Sequence, residues 1–149
     1  MELLVIRHGQ TVANMNNYYY GFTDSPVTDK GREQAKAAGR FISRLQFQPD
    51  EIYMSERTRT HETLQLMGFD PQAARIDGRI NEQNMGQFEC MTFQQISAQF
   101  PHAFEEWNAD FNNYRPKYGE SHLEMYTRVR DFMEELIARE KDGSKKIMI

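Results

Sequence analysis

Arg7, His8 and Gly9 follow directly on the apolar run Leu3-Leu4-Val5-Ile6, and Asn14 stands half a dozen residues after the histidine. An imidazole beside a guanidinium is a set that can attack and hold a phosphoryl group, because neutral imidazole is nucleophilic near neutral pH and can form a covalent intermediate. Arg59 would supply a second guanidinium. Arg7 and Arg59 could then grip the transferring group bidentately while its charge is spread over three oxygens. The amide of Asn14 could close on the same anion. Two nearby guanidiniums also favour the neutral form of His8, and such a site asks for no metal. A departing alkoxide needs a proton, and Glu82 in Arg79-Ile80-Asn81-Glu82 is a candidate donor if burial or the phosphate charge keeps it protonated. By spacing alone Glu82 is no better than another loop carboxylate. A lone histidine at a strand end is otherwise a hydrogen-bonded structural residue, and the neighbouring arginine and glycine shift that balance without reversing it.

These side chains need elements to bring them together. The opening run has four apolar residues, two of them β-branched, which predicts a short strand buried on both faces. Gly9 then lets the backbone turn where a side chain would obstruct a ligand. Glu51 to Ser55 reads as a second strand with Arg59 just beyond it. In a parallel sheet the two following loops meet at one edge, where open α/β sheets bind their ligands. Between the strands, Asn14 to Pro26 is a polar loop whose Tyr18-Tyr19-Tyr20 either shapes a pocket or is simply half-buried. Thr28 is a predicted N-cap, with Asp29 in the first turn and Ala35, Ala38, Ile42 and Leu45 on one helical face. Gly39 would let that helix approach the sheet.

A second helix is expected from about Glu56, with Thr60, Leu64 and Met67 on one face and Gly68 with Pro71 as the stop. Ala74 to Asp77 is a weak third strand, and Gly78 to Cys90 is mostly loop. Thr92 and Ser121 each open a capping box. Phe93, Ile96 and Phe100 should face inward before a stop at Pro101. A short amphipathic piece follows around Phe104, Trp107 and Phe111. A long helix after Ser121 should turn Tyr126, Val129, Met133 and Leu136 inward. Lys145 to Ile149 reads as the start of another buried strand. Strands alternating with helices predict one α/β domain with a mainly parallel sheet flanked by helices.

Composition sets the outer bounds. The chain has 149 residues, enough for one domain with a sizeable core. With 39% hydrophobic and 27% charged residues it reads as an ordinary globular protein. Eighteen Lys and Arg against 22 Asp and Glu leave a net charge of −4, which argues against a nucleic-acid surface. The single cysteine, Cys90, excludes an internal disulfide and a cysteine-rich metal site, and a reducing cytoplasm fits it best. No stretch approaches a membrane span. His61-Glu62-Thr63-Leu64-Gln65 begins like a zinc-protease helix but has Gln65 where the second ligand belongs. His61, His102 and His122 read as surface or capping-region residues.

Taken together, several separated segments resemble the histidine phosphatase superfamily, also called the phosphoglycerate mutase-like family. Arg7-His8-Gly9-Gln10-Thr11 with Asn14 is similar to the signature loop whose histidine becomes phosphorylated. Gly21 to Thr28 and Gly31 to Ala35 resemble the loop and helix start that follow. Ser55, Arg59 and Thr63 match a second phosphate-arginine segment, with Glu56-Arg57 in place of the usual Pro-Leu. Asn81-Glu82 and Gly86-Gln87-Phe88-Glu89 resemble the segment of the acid glutamate, with Cys90 where glycine is common. Gly119-Glu120-Ser121 matches a later loop.

The resemblance implies a three-layer, mainly parallel phosphoglycerate mutase-like fold over residues 1–149. It further implies a phosphatase acting on small phosphorylated metabolites without a cofactor, with mutase-type transfer as the alternative. His8 would be the phospho-acceptor and Glu82 the acid. Arg7, Asn14 and Arg59 would bind phosphate, with the backbone near Gly21 lining the pocket.

The family's second histidine, in a Ser-His-Gly-like motif, would begin directly after Ile149. The expectation from its absence is an incomplete domain, from a truncated chain or reading frame or a damaged member. Activity should be weakened by about 10²–10³ for a missing preorganised donor. Exposed apolar surface would invite homodimerisation, and a phospho-ligand binding role without turnover is the competing reading.

Overall fold

Four short strands run parallel in the order β1-β4-β2-β3, where β1 is Glu2–Leu4, β2 Glu51–Met54, β3 Arg75–Ile76 and β4 Lys146–Met148. The computed structural model describes residues 1–141 and 143–149. The last strand in sequence therefore lies inside the sheet. Leu3 pairs with Ile147 on one side of it, and Ile52 pairs with Met148 on the other. Among the described residues six α-helices accompany the strands: α1 Val12–Met15, α2 Asp29–Arg44, α3 Thr58–Leu66, α4 Phe93–Gln99, α5 Pro101–Ala109 and α6 His122–Arg139. Among the described residues no helix is long and apolar enough to cross a membrane.

Period-2 alternation along the strands divides the core into two layers. Met54 and Met148 face Ala35 and Ile42 of α2 and Leu64 of α3, with Leu4 and Ile6 packed against them. Tyr53 and Ile147 point the other way, onto Phe132 and Leu136 of α6, with Leu3 alongside. This is the three-layer arrangement expected from alternating strands and helices. A separate cluster of Met85, Phe88, Ile96 and Trp107 joins α4 and α5 to the loop that carries residues 85–88.

Helix starts follow local chemistry. The hydroxyl oxygens of Thr28, Thr92 and Ser121 accept from the amides of Gly31, Gln95 and Glu124, and the last two caps are reciprocal boxes. Four inward assignments fail. Val5 is 68% exposed at the end of the edge strand β1, although Ile149 brackets it: the Ile149 amide donates to the Leu4 carbonyl at 2.9 Å and its carbonyl accepts from the Ile6 amide at 2.8 Å. Phe93, first residue of its helix, and Tyr126, on α6, are likewise exposed; Phe132 and Leu136 carry the burial on α6. Leu45, at the end of α2, is also exposed. Pro101 stops α4, which ends at Gln99, and also opens α5 as its first residue, since a proline lacks only an amide that would be unpaired there. Gly39 meets the backbone of Met67, so its close approach is to the end of α3 and not to the sheet.

At the amino end of β2, Glu51 is 9% exposed and takes Lys145 at 2.6 Å, Arg75 and Arg139 at 2.8 Å each, and the Tyr53 hydroxyl at 2.9 Å. The bond from Lys145 is the largest influence holding its pKa down to about 2. This network ties α6, β3 and the approach to β4 together, at the opposite end of the strands from His8.

Candidate active site

His8 lies just past the carboxyl end of β1, half-buried, with its ring edge-on to Tyr20 at 6.5 Å between centroids. Its Nδ1 is 2.8 Å from the Gly9 carbonyl oxygen. A carbonyl can only accept, so Nδ1 carries the proton and Nε2 keeps its lone pair. Burial lowers the pKa of this imidazole most, and the charges of Arg59 and Arg7 lower it further. The Gly9 bond and Glu82 oppose them without reversing the direction. The result is a neutral imidazole whose Nε2 lone pair is available.

The loop around it is held tightly. The Gly9 amide donates to Thr63 Oγ1 at 3.2 Å, and that hydroxyl donates to the Arg59 carbonyl at 2.7 Å. A Cβ on Gly9 would stand 2.3 Å from the Gly31 carbonyl oxygen, so this backbone crossing admits only glycine. Thr11, fully buried, caps α1 and fixes Asn14. Asn14 Oδ1 accepts from the Thr11 amide at 3.0 Å and from the Tyr20 hydroxyl at 3.1 Å. The Thr11 hydroxyl at 3.0 Å is a third donor, and together they set the orientation of the amide and leave Nδ2 available to an anion.

Arg59, on α3, is 2% exposed. Its guanidinium lies over the Tyr20 ring at 4.7 Å and donates to the carbonyls of Gly21 at 2.8 Å and Thr23 at 3.2 Å. Its Nε is buried with no acceptor. Arg7 is exposed and makes no ion pair among the described residues. It shares a cleft of about 250 Å³ with Asn14, Glu82, Trp107 and Phe111, and all three of Tyr18, Tyr19 and Tyr20 line it. The tyrosine run thus shapes a pocket. His8 does not line this cleft; it borders an apolar cavity lined by Ile6, Ile52, Leu64, Met148 and Ile149.

Glu82 is exposed, and its carboxylate accepts from the Gln83 amide at 2.9 Å. Of the two conditions set for it in the sequence, burial is not met. Gly21 presents neither backbone group to an open cavity. Its carbonyl takes Arg59, its amide donates to Glu89 Oε1 at 2.9 Å, and a Cβ there would fall 1.7 Å from the Gln83 carbonyl oxygen.

Two residues without an assigned role in the sequence reading hold these loops. Glu89 accepts four backbone amides. Gly21, Phe22 and Met85 donate to Oε1 at 2.9, 3.0 and 3.0 Å, and Thr23 donates to Oε2 at 3.1 Å. Burial alone would raise the pKa of this carboxyl, but the amide donors outweigh it and keep it below the usual range. Arg128 of α6 donates to the carbonyls of Arg79, Asn81 and Glu82 and pairs with Glu120 at 2.6 Å. Nothing local marks Arg128 in the sequence. Glu89 is quoted in a motif, yet its work is visible only when residues 68 positions away arrive.

The unusual Glu56-Arg57 pair is also accounted for. Glu56 accepts from Asn81 Nδ2 at 2.6 Å, beside the Glu82 turn. Arg57 donates to the Phe22 carbonyl at 2.7 Å and stacks on the Phe22 ring.

Comparison with known proteins agrees with this geometry. The family model of the histidine phosphatase superfamily (branch 1) matches residues 3–149. Glucosyl-3-phosphoglycerate phosphatase of Mycobacterium tuberculosis is 32% identical over 142 residues, covering 95% of this chain and 62% of that protein. Adenosylcobalamin/alpha-ribazole phosphatase of Salmonella typhimurium is 31% identical over 141 residues, covering 93% and 68%. The crystal structure of a putative alpha-ribazole-5'-P phosphatase from Escherichia coli superposes with a TM-score of 0.87 at 28% identity, covering 99% of this chain and 71% of that one. This chain thus spans somewhat under two thirds of the length of the mycobacterial relative. On the match across nearly its whole length, the chain belongs to the histidine phosphatase superfamily.

Proposed function

We propose that this chain carries a phosphomonoester hydrolase site that works through a phosphohistidine at His8. The observation that carries the reading is the His8–Gly9 bond, which leaves Nε2 unprotonated at a strand end flanked by two guanidiniums. In the first step Nε2 attacks phosphorus, the bond to the ester oxygen breaks, and the departing alkoxide takes a proton from Glu82. In the second, water attacks phosphorus and the P–N bond breaks. The Glu82 carboxylate accepts the water proton, and inorganic phosphate leaves.

Arg7 and Arg59 supply the positive charge that the equatorial oxygens need, so the scheme uses no metal. The acceptor missing from buried Arg59 Nε is one that a phosphoryl oxygen would provide. The Asn14 amide donates to the same group, and Gly21 holds Arg59 in place from behind. Phosphatase names among the relatives support hydrolysis over mutase-type transfer, and the alcohols those names imply differ from one another.

The test is hydrolysis of p-nitrophenyl phosphate in EDTA by this chain and by His8→Ala. Release of nitrophenol that disappears in the variant, with phosphate trapped on His8 in a rapid acid quench, is the expected result. Equal rates in the two proteins would reject His8 as nucleophile. Phosphate binding without turnover would favour a phospho-ligand binding role instead.

A further inference from the structure

Residues 81–85, which carry Glu82, lie between two single 3₁₀ turns with no strand or α-helix to fix them. One guanidinium does much of that work. Arg128 has five N–H donors and spends all five. Two from Nη1 go to the Arg79 and Asn81 carbonyls at 2.7 Å each, and one from Nη2 goes to the Glu82 carbonyl at 3.0 Å. The other two, from Nη2 and Nε, meet the two oxygens of Glu120 at 2.6 and 3.0 Å. Glu120 in turn accepts the Asn84 amide at 2.9 Å on Oε1 and the Gln83 side-chain amide at 2.9 Å on its carbonyl. The backbone on both sides of Glu82 is thus held by one ion pair, whose side chains are only 19% and 17% exposed and so little screened by water. Both ends of the pair are anchored, because Glu120 directly precedes the Ser121 cap and Arg128 lies within α6.

Resting on the hydrolase reading above, we propose that Arg128, locked by Glu120, is a positioning residue that sets the reach of the Glu82 carboxyl to the departing oxygen. None of its five bonds goes to Arg7, His8 or Arg59. Its loss should therefore fall on proton donation more than on attack by His8. Displacing a positioned group by about 1 Å costs on the order of 10² in rate. Asn81 keeps a separate exchange with Glu56, whose amide donates to Asn81 Oδ1 at 2.9 Å, so the turn is loosened and not released.

The experiment compares kcat/KM for p-nitrophenyl phosphate and benzyl phosphate within each protein preparation. Nitrophenolate can leave as the anion, whereas the benzyl alkoxide must take up a proton as the P–O bond breaks. The ratio of the two values does not depend on how much of a preparation is folded. In Glu82→Gln the benzyl ester should lose about 10²-fold more than the nitrophenyl ester. Arg128→Met should reproduce that selective loss, and Arg128→Lys, with three donors in place of five, should recover part of it. Combining Glu82→Gln with Arg128→Met should leave the ratio where Glu82→Gln alone puts it, because residues acting through one step are not additive.

A wild-type ratio in the Arg128 variants, beside a selective loss in Glu82→Gln, would overturn the proposal and leave the hydrolase reading standing. Additive losses in the double variant would give Arg128 a role apart from Glu82 and overturn it as well. Where Arg128→Met does not fold, Arg128→Lys decides by the same ratio. A ratio unmoved in Glu82→Gln, or no hydrolysis of benzyl phosphate by the unaltered chain, would remove the acid assignment and this proposal with it.

Discussion

Replacing Glu89 with glutamine should loosen the proposed phosphate site without touching it. The carboxylate holds four amides, three on Oε1 and one on Oε2. A glutamine can keep one acceptor oxygen. In its best orientation the amide oxygen retains Gly21, Phe22 and Met85, and its NH2 then abuts the Thr23 amide, donor against donor. One charge-assisted bond is lost outright, about 1.5–3 kcal/mol, and the remaining three lose roughly half their strength because the acceptor is neutral. Allowing for relaxation of an edge loop, a net loss of about 3 kcal/mol is expected, which for a domain of this size lowers Tm by about 6–12 °C.

The loop so released contains the two carbonyls that orient Arg59, so KM for p-nitrophenyl phosphate should rise more than kcat falls. Thermal unfolding followed by circular dichroism, with steady-state kinetics on the same preparation, measures both effects. Wild-type melting together with unchanged KM would refute the argument that Glu89 positions Arg59. A melting loss with unchanged KM would confine Glu89 to a structural role.

Two further outcomes follow from the ionisation states. In the proposed mechanism His8 must be neutral to attack, and its pKa is lowered from 6.5; the acid limb of kcat/KM should therefore be centred below pH 6.5, and a limb centred above that value would contradict the burial argument. Because the unfolded state binds that proton more readily, His8 contributes stability that is complete above pH 6.5 and is lost as pH falls through its folded pKa. Glu51→Gln tests the opposite end of the sheet. A folded pKa of about 2 against 4.5 corresponds to at most about 3 kcal/mol at neutral pH. Its three cationic partners are 40–58% exposed, which reduces the expected loss to about 1–2 kcal/mol. That stability is present above pH 4.5 and lost as pH falls toward 2, so urea midpoints of the two proteins should converge in acid. A constant gap across that range would count against the ion network.

Much of this protein is written locally. Thr28, Thr92 and Ser121 cap their helices because a side-chain oxygen reaches an amide only three residues ahead, a relation that needs no tertiary partner. The apolar runs at Leu3–Ile6 and Ile147–Ile149 specify strands for the same reason, and the Arg7-His8-Gly9 juxtaposition is covalent. Tertiary structure alone decided how those pieces meet. Val5 carries the same apolar signal as Leu4 but sits at the end of an edge strand with its side chain in solvent. The His8 tautomer depends on the geometry of one turn. Glu89 and Arg128 owe their roles to backbone groups distant in sequence, and a carboxylate or guanidinium carries no local mark of which amides or carbonyls will come to it. Periodicity encodes which face of an element is apolar, but where a polar side chain finds its partners is settled only when the layers pack.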